Sequence, residues 1–267
     1  MITYLRFPSK MYRMNPMGNI ITVGCYIVAI GFPALLAILT YPISKKLCVK
    51  VSDYVVRVCA PRLFAILSTY KNFKFQGYKN LKEDLPEQFL VMSNHQSLLD
   101  IPLYMKFFSD KSVRFVAKEE LGRHVPMISE MLRVHEHAVI PRRGSPSIAM
   151  KTLDSFAERI MERNQIPIIF PEGTRSRDGT LGTFYAAGFR RISDKAKIPV
   201  VVCALDGGYK ISTLDGIARY LKDGVYRVKI LKIYPSPTSK QEQLHILEEG
   251  KQLIQSQLDE WRSLEKT

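Results

Sequence analysis

The sequence predicts an α/β fold, a mixed, largely parallel sheet flanked by helices, with an N-terminal membrane-associated helical segment. Two patterns carry this. From about Phe73 onward, short apolar runs alternate with amphipathic stretches, the pattern of strand–helix repetition. Before Lys45 the chain is almost continuously apolar and carries no charge back to Arg13. A length of 267 residues, 46% hydrophobic and 24% charged, holds one substantial globular domain plus an appendage. The expected division is 1–72 for membrane-anchoring hydrophobic helices and 73–267 for the α/β domain.

In chain order, the first element is the run "NIITVGCYIVAIGFPALLAILTYPI", residues 19–43. It is long enough to cross a bilayer, and it lacks the short core and small-residue cleavage site of a signal peptide. Pro33 and Pro42 interrupt it. The helix-like segment "DYVVRVCAPRLFAILSTY" that follows carries Arg57 and Arg62, which suits a membrane interface. Basic residues flank the apolar run on both sides: Arg6, Lys10 and Arg13 before it, and Lys45, Lys46 and Lys50 after it. These flanks blur the charge rule for orientation, so a single span and a hairpin dipping into one leaflet both fit. Cys25, Cys48, Cys59 and Cys203 form no CxxC pair and no zinc-ligand spacing, and read as lipid- or core-facing thiols on a reducing, cytosol-facing chain.

Strands are expected at Phe89–Met92, Val113–Ala117, Ala138–Ile140, Ile166–Phe170, Val200–Leu205 and Tyr226–Ile233. The clearest helix opens at "GSPS", where Ser145 caps and Pro146 takes the first helical position. Ala149, Thr152, Leu153, Phe156 and Ile160 line one side of it, and Lys151, Asp154, Glu158 and Glu162 the other. An amphipathic helix over roughly Gln241 to Arg262 closes the chain.

A net charge of +14 favours polyanionic partners: nucleic acid, an anionic membrane surface, or phosphorylated and CoA-like substrates. No nucleic-acid-binding motif accompanies the charge. Two polar clusters narrow the choice. In "VMSNHQSLLDIPLY", residues 91–104, Asn, His, Gln and Ser follow a short buried run, and Asp100 stands five residues after His95. On an ideal helix these two side chains would diverge by about 140 degrees, so they meet only if His95 lies in a loop and Asp100 in the first helical turn. There, Asp100 fixes the tautomer of His95 and leaves its other nitrogen as a general base. The competing reading is that Ser93 or Asn94 caps a helix starting near Leu98 and His95 is incidental.

The second cluster, "IPIIFPEGTRSRDG", runs from a buried strand into Pro171, Glu172, Gly173, Thr174 and Arg175. Gly173 permits unusual backbone geometry and close ligand approach, Thr174 donates a hydroxyl, and Arg175 offers a planar fork suited to phosphate. Glu172 would repel a phosphate, so it orients Arg175 or binds an acceptor hydroxyl. The alternative is a solvated turn with an Arg–Glu pair.

Together, "NHQSLLD" and "FPEGTRS" resemble the paired signature motifs of the glycerolipid acyltransferases, specifically the 1-acylglycerol-3-phosphate acyltransferase (PlsC-like) group. The resemblance covers about residues 75–210, and the N-terminal apolar segments resemble that group's membrane-anchoring helices. "HVPMISEMLRVHEHAVIPRRG" is similar to the block ending in an acceptor-binding arginine, which falls on Arg142, although Pro141 replaces the frequent acidic residue. "KIPVVVCAL" is similar to the last block, with Val202 in place of its second proline. Lys118, in "FVAKEELGR", is either a further phosphate partner or a plain surface lysine.

The resemblance implies transfer of a fatty acyl group from acyl-CoA or acyl carrier protein to the free hydroxyl of 1-acyl-sn-glycerol-3-phosphate, making phosphatidic acid in phospholipid synthesis. His95 would be the base and Asp100 its partner. Glu172, Gly173, Thr174, Arg175, Arg142 and Lys118 would bind substrate. The enzyme would sit on the membrane with its catalytic domain facing the cytosol, and no metal or cofactor is implied. No GxSxG elbow and no cysteine beside a base argue for a covalent intermediate. Two alternatives are acylation of a different lysolipid and a non-catalytic lipid-binding role.

Overall fold

Among the described residues, seven strands align in a single sheet in the order β1-β7-β6-β2-β5-β3-β4. They are β1 (Lys74–Tyr78), β2 (Leu90–Ser93), β3 (Val113–Lys118), β4 (Ala138–Ile140), β5 (Ile166–Ile169), β6 (Val200–Asp206) and β7 (Val225–Tyr234). This computed structural model describes residues 24, 31–78, 81, 83–123, 128–141, 145–212, 216 and 220–265. Every pairing is parallel except β6 with β7. The sheet is thus mixed and largely parallel, as expected.

The central strands explain their own position. β2, β5 and β6 are buried at every residue, as strands covered on both faces must be. Their side chains alternate between two cores. Val91, Val201, Cys203 and Leu205 join one with Phe89, Tyr104, Phe115 and Tyr226. Leu90, Met92, Val200, Val202 and Ala204 join the other with Leu153, Phe156, Phe189, Ile254 and Trp261. The second core is roofed by α7 (Pro146–Glu162), α8 (Ala186–Ala196) and α9 (Lys240–Leu264). Ser145 caps α7 by accepting from Ser147 N at 3.2 Å, as the "GSPS" signal predicts. Ser239 opens α9 with a reciprocal box: its hydroxyl accepts from Glu242 N, and Glu242 accepts from Thr238 N.

All six expected strands are present. The strand the sequence does not announce is β1. "KFQGY" carries Lys, Gln and Gly, which have no strand preference, and its place is set by parallel pairing to β7 along the sheet edge.

The N-terminal half of the first core is helical. α1 (Phe32–Ile43) and α2 (Lys45–Tyr54) lead through a π turn at Val55–Cys59 into α3 (Ala60–Lys71). Phe64 and Leu67 of α3 join the core under β1 and β7. Of the apolar run over residues 19–43, for which a single span and a hairpin are both expected, the structure describes residue 24 and residues 31–43. The apolar helix ends at Ile43, because Ser44 is extended and caps α2 through Leu47 N. Among the described residues no helix is long and apolar enough to cross a membrane. Residues 19–23 and 25–30 of the run lie outside the described residues. One side of α1 nevertheless leaves Phe32, Leu35, Leu39 and Ile43 exposed, at the three- and four-residue spacing of a helix face. Cys48, Cys59 and Cys203 are buried free thiols, as expected of core-facing cysteines; Cys25 lies outside the described residues.

Two short helices, α5 (Glu119–Arg123) and α6 (Ile128–Val134), fill the connection from β3 to β4. The remaining helix, α4 (Asp100–Phe107), follows β2 and begins at the first polar cluster.

Candidate active site

Because β2, β5 and β6 are adjacent and parallel, their carboxyl ends deliver three loops to one edge of the sheet, the side on which open α/β sheets gather ligands. The loop after β2 holds the question posed by Asn94, His95, Gln96 and Ser97. Asn94 acts as an extra rung of the sheet: its amide donates to Leu205 O at 2.9 Å and accepts from Leu205 N at 3.0 Å. Gln96 donates to Asp206 Oδ1 at 3.0 Å and accepts from Gly208 N at 3.1 Å. Ser93 accepts from Tyr104 Oη at 2.6 Å. The residues flanking His95 on both sides are thus locked to β6 and α4, and neither Ser93 nor Asn94 caps the helix.

His95 and Asp100 meet across the loop–helix junction, with His95 Nδ1 2.6 Å from Asp100 Oδ2. The same Oδ2 accepts from Gln96 N at 2.7 Å and Ser97 N at 3.1 Å. The other oxygen, Oδ1, accepts from Tyr226 Oη. Asp100 is fully buried, while the His95 side chain keeps 16% of its surface exposed. The imidazole stacks on Phe170, with ring centroids 4.2 Å apart and planes 10° from parallel. With Nδ1 committed to Asp100, Nε2 is the nitrogen left for chemistry.

The loop after β5 is tied to this one. Glu172, only 4% exposed, accepts from His95 N and from Gly182 N, both at 2.8 Å. Ser176 N donates to His95 O at 2.8 Å. Burial raises the Glu172 carboxyl above the ordinary carboxylate range, against the lowering effect of those two backbone bonds. From the sequence, Glu172 is expected to orient Arg175 or take a substrate hydroxyl; in the structure its two oxygens accept from the His95 and Gly182 amides. A buried carboxylate needs buried donors, and the nearest are the two backbone amides, so its role is to clamp the two loops.

Gly173 adopts φ +61°, the left-handed region, while a Cβ there would meet nothing within 4 Å; the backbone turn, rather than crowding, calls for glycine. Thr174 and Arg175 are exposed beyond it. A groove of about 430 Å³ opens beside them, lined by Glu172, Thr174, Ser176, Arg177, Thr180 and Tyr185. Lys118 is exposed at the carboxyl end of β3, on the same edge of the sheet. Arg142 lies outside the described residues.

The other histidines differ from His95. His137 Nδ1 accepts from Phe115 N at 2.8 Å, and burial together with the neighbouring Arg114 holds it well below the ordinary histidine range, hence neutral. His135 is lowered in the same way. His245 is solvent-facing beside Glu249, and His124 lies outside the described residues. Among the described residues no cluster of three His, Cys, Asp or Glu could hold a metal ion.

Sequence reasoning missed Tyr226 and Asp206. Tyr226 is 126 residues from Asp100, inside a strand whose pattern gives no hint of a polar task. Asp206 joins Gln96 to Arg262 of α9, which donates to it at 3.1 Å and to Gly179 O at 2.6 Å.

A family model described as acyltransferase matches residues 72–206, half of the chain, including the loops after β2 and β5. The chain belongs to the acyltransferase family. Among the relatives of this acyltransferase is a chloroplastic 1-acyl-sn-glycerol-3-phosphate acyltransferase of Brassica napus, 35% identical over 180 residues, which are 66% of this chain and 49% of that protein. A 1-acyl-sn-glycerol-3-phosphate acyltransferase of Helicobacter pylori is 30% identical over 131 residues, 49% of this chain and 54% of its own. One from Cocos nucifera is 34% identical over 118 residues, 44% of this chain and 37% of its own. The acyltransferase thus spans about half or less of the length of such curated relatives. Its fold is shared with the crystal structure of the 1-acyl-sn-glycerophosphate acyltransferase PlsC of Thermotoga maritima, at a TM-score of 0.62 and 23% identity, covering 92% of this chain and 94% of that one.

Proposed function

We propose that this acyltransferase moves a fatty acyl group from an acyl-CoA or acyl carrier protein thioester to the free hydroxyl of 1-acyl-sn-glycerol-3-phosphate, yielding phosphatidic acid. The observation that carries the reading is the His95–Asp100 contact of 2.6 Å at the carboxyl edge of the sheet, with Asp100 buried and His95 still accessible. His95 Nε2 takes the hydroxyl proton as that oxygen attacks the thioester carbonyl; the C–S bond then breaks and the departing thiolate recovers the proton. Asp100 stabilises the imidazolium in between. The names of the relatives support the acceptor, and the exposed Arg175, helped by Arg142 and Lys118, supplies cationic partners for its phosphate.

The reading includes a membrane. The exposed Phe32, Leu35, Leu39 and Ile43 would dip into one leaflet while Lys45, Lys46 and Lys50 stay at the headgroups. Residues 1–72 would then anchor the chain and 73–267 carry the chemistry, on the cytosolic side where the thioester donors are.

The test is acyl transfer by the purified full chain from labelled acyl-CoA and acyl carrier protein to a panel of lysolipids. Lysophosphatidate should be the best acceptor, and His95→Ala should lose about 10²–10⁴ in turnover while staying folded. A folded His95→Ala with normal turnover refutes the mechanism. A different preferred acceptor would point to Pro141 and Val202, where the acceptor-contacting blocks depart from the group's pattern.

A further inference from the structure

We propose that Tyr226 is a positioning residue of the acyl-transfer reaction, acting through Asp100 on the proton held by His95. The inference rests on the function proposed above. It begins with the Asp100 carboxylate. Oδ2 already accepts from His95, Gln96 N and Ser97 N, and Oδ1 is turned away from the histidine toward the interior, where it accepts from Tyr226 Oη. Three of these donors come from the loop after β2 itself. The fourth comes from the far side of the sheet order, two strands away.

The topology explains how it gets there. β7 is the strand that runs antiparallel to its neighbour β6, with Arg227 opposite Asp206 and Val228 opposite Leu205. Its beginning therefore abuts the carboxyl end of β6. A parallel β7 would bring its own end to the catalytic edge and leave Tyr226 at the opposite one. The single reversal in the sheet places a phenol beneath the catalytic loop.

Space is reserved for that phenol. A Cβ at Gly208 would lie 2.2 Å from Tyr226 Oη and 3.1 Å from Ser97 Cβ, so only glycine lets the loop after β6 pass over the hydroxyl. Tyr226 is fully buried and packs edge-on to Phe73, with centroids 6.5 Å apart. Burial and the adjacent Asp100 charge push its phenol well above the ordinary tyrosine range, so it remains a proton donor at any working pH.

The surrounding titratable groups have other duties. Tyr104 donates to Ser93, Glu172 accepts from backbone amides, Asp206 is bonded by Gln96 and Arg262, and Cys203 is buried with its thiol raised. Tyr226 is thus placed to draw negative charge from Asp100. Less charge on Asp100 means a weaker grip on the imidazolium, so His95 returns the proton to the leaving thiolate more readily. Without the phenol, Asp100 would hold the imidazolium harder and the proton would pass to the leaving thiolate less readily.

The experiment measures kcat at saturating substrates across about pH 5.5–8.5 for the full-length wild type, Tyr226→Phe, Asp100→Asn and the double variant, with circular dichroism on each. In Tyr226→Phe the acidic limb should move up by on the order of half to one pH unit, so that turnover on that limb falls about three- to tenfold and recovers at higher pH. In the Asp100→Asn background, Tyr226→Phe should add almost nothing, because its effect passes through the carboxylate. 3-Fluorotyrosine installed at position 226 alone makes the phenol a stronger donor, should move the limb the opposite way by less, and serves if Tyr226→Phe does not fold.

An unmoved limb with an active wild type overturns the positioning role. So does a loss that is equal at every pH or that adds in full to Asp100→Asn, since either marks a packing defect. A wild type without transferase activity on any lysolipid overturns the function itself, and with it this inference.

Discussion

Removing the Glu172 carboxylate is the perturbation that best tests how the loops after β2 and β5 are joined. Glu172→Ala orphans two amides, His95 N and Gly182 N, each bonded at 2.8 Å in the intact protein. A buried donor left without a partner costs about 1–3 kcal/mol, so the pair costs roughly 2–6 kcal/mol. For a chain of this size that corresponds to a fall of roughly 5–20 °C in Tm. Glu172→Gln keeps one acceptor oxygen and no longer buries a charge, so it should cost far less than Glu172→Ala. The pH dependence has a definite sign. Burial raises the carboxyl in the folded state, so its contribution is present in full below the ordinary carboxylate range and is lost as pH rises through the raised value. The stability gap favouring wild type over Glu172→Gln should therefore narrow with rising pH across that window. Thermal unfolding followed by circular dichroism at several pH values measures it. Equal destabilisation by Ala and Gln, or a gap that widens with pH, would refute the clamp.

Two further outcomes are expected. Arg175→Lys replaces a planar fork by a point charge, and should raise the apparent KM for lysophosphatidate about ten- to a hundredfold with a much smaller change for the acyl donor; two-substrate kinetics separates the two, and an effect confined to the donor would reassign the arginine. Arg262→Met leaves Asp206, 1% exposed, without its ionic partner, and should cost about 1–3 kcal/mol in urea unfolding, less than a fully buried pair because Arg262 is itself partly exposed; adding Asp206→Asn should recover much of the loss.

The sequence by itself determined most of the elements and one contact of the candidate site, because the signals concerned are local. Buried strands such as "IPII" and "VVVCALD" announce themselves by unbroken apolar runs, and Ser145 and Pro146 mark a helix start within three residues. The His95–Asp100 contact was legible because five residues across a loop–helix junction leave the pair little freedom. The tertiary structure decided what depends on distant strands. Glu172 lies 77 residues from His95, and only the parallel adjacency of β2 and β5 turns its carboxylate toward the His95 amide instead of toward Arg175. The apolar run before Lys45 ends in the structure at Ile43, where Ser44 turns extended and caps α2 by accepting from Leu47 N. Tyr226 reaches Asp100 because β7, with β1 beside it, runs opposite to the other five described strands. Strand direction is set by the whole sheet closing over its core, so no window of sequence around Tyr226 could have revealed it.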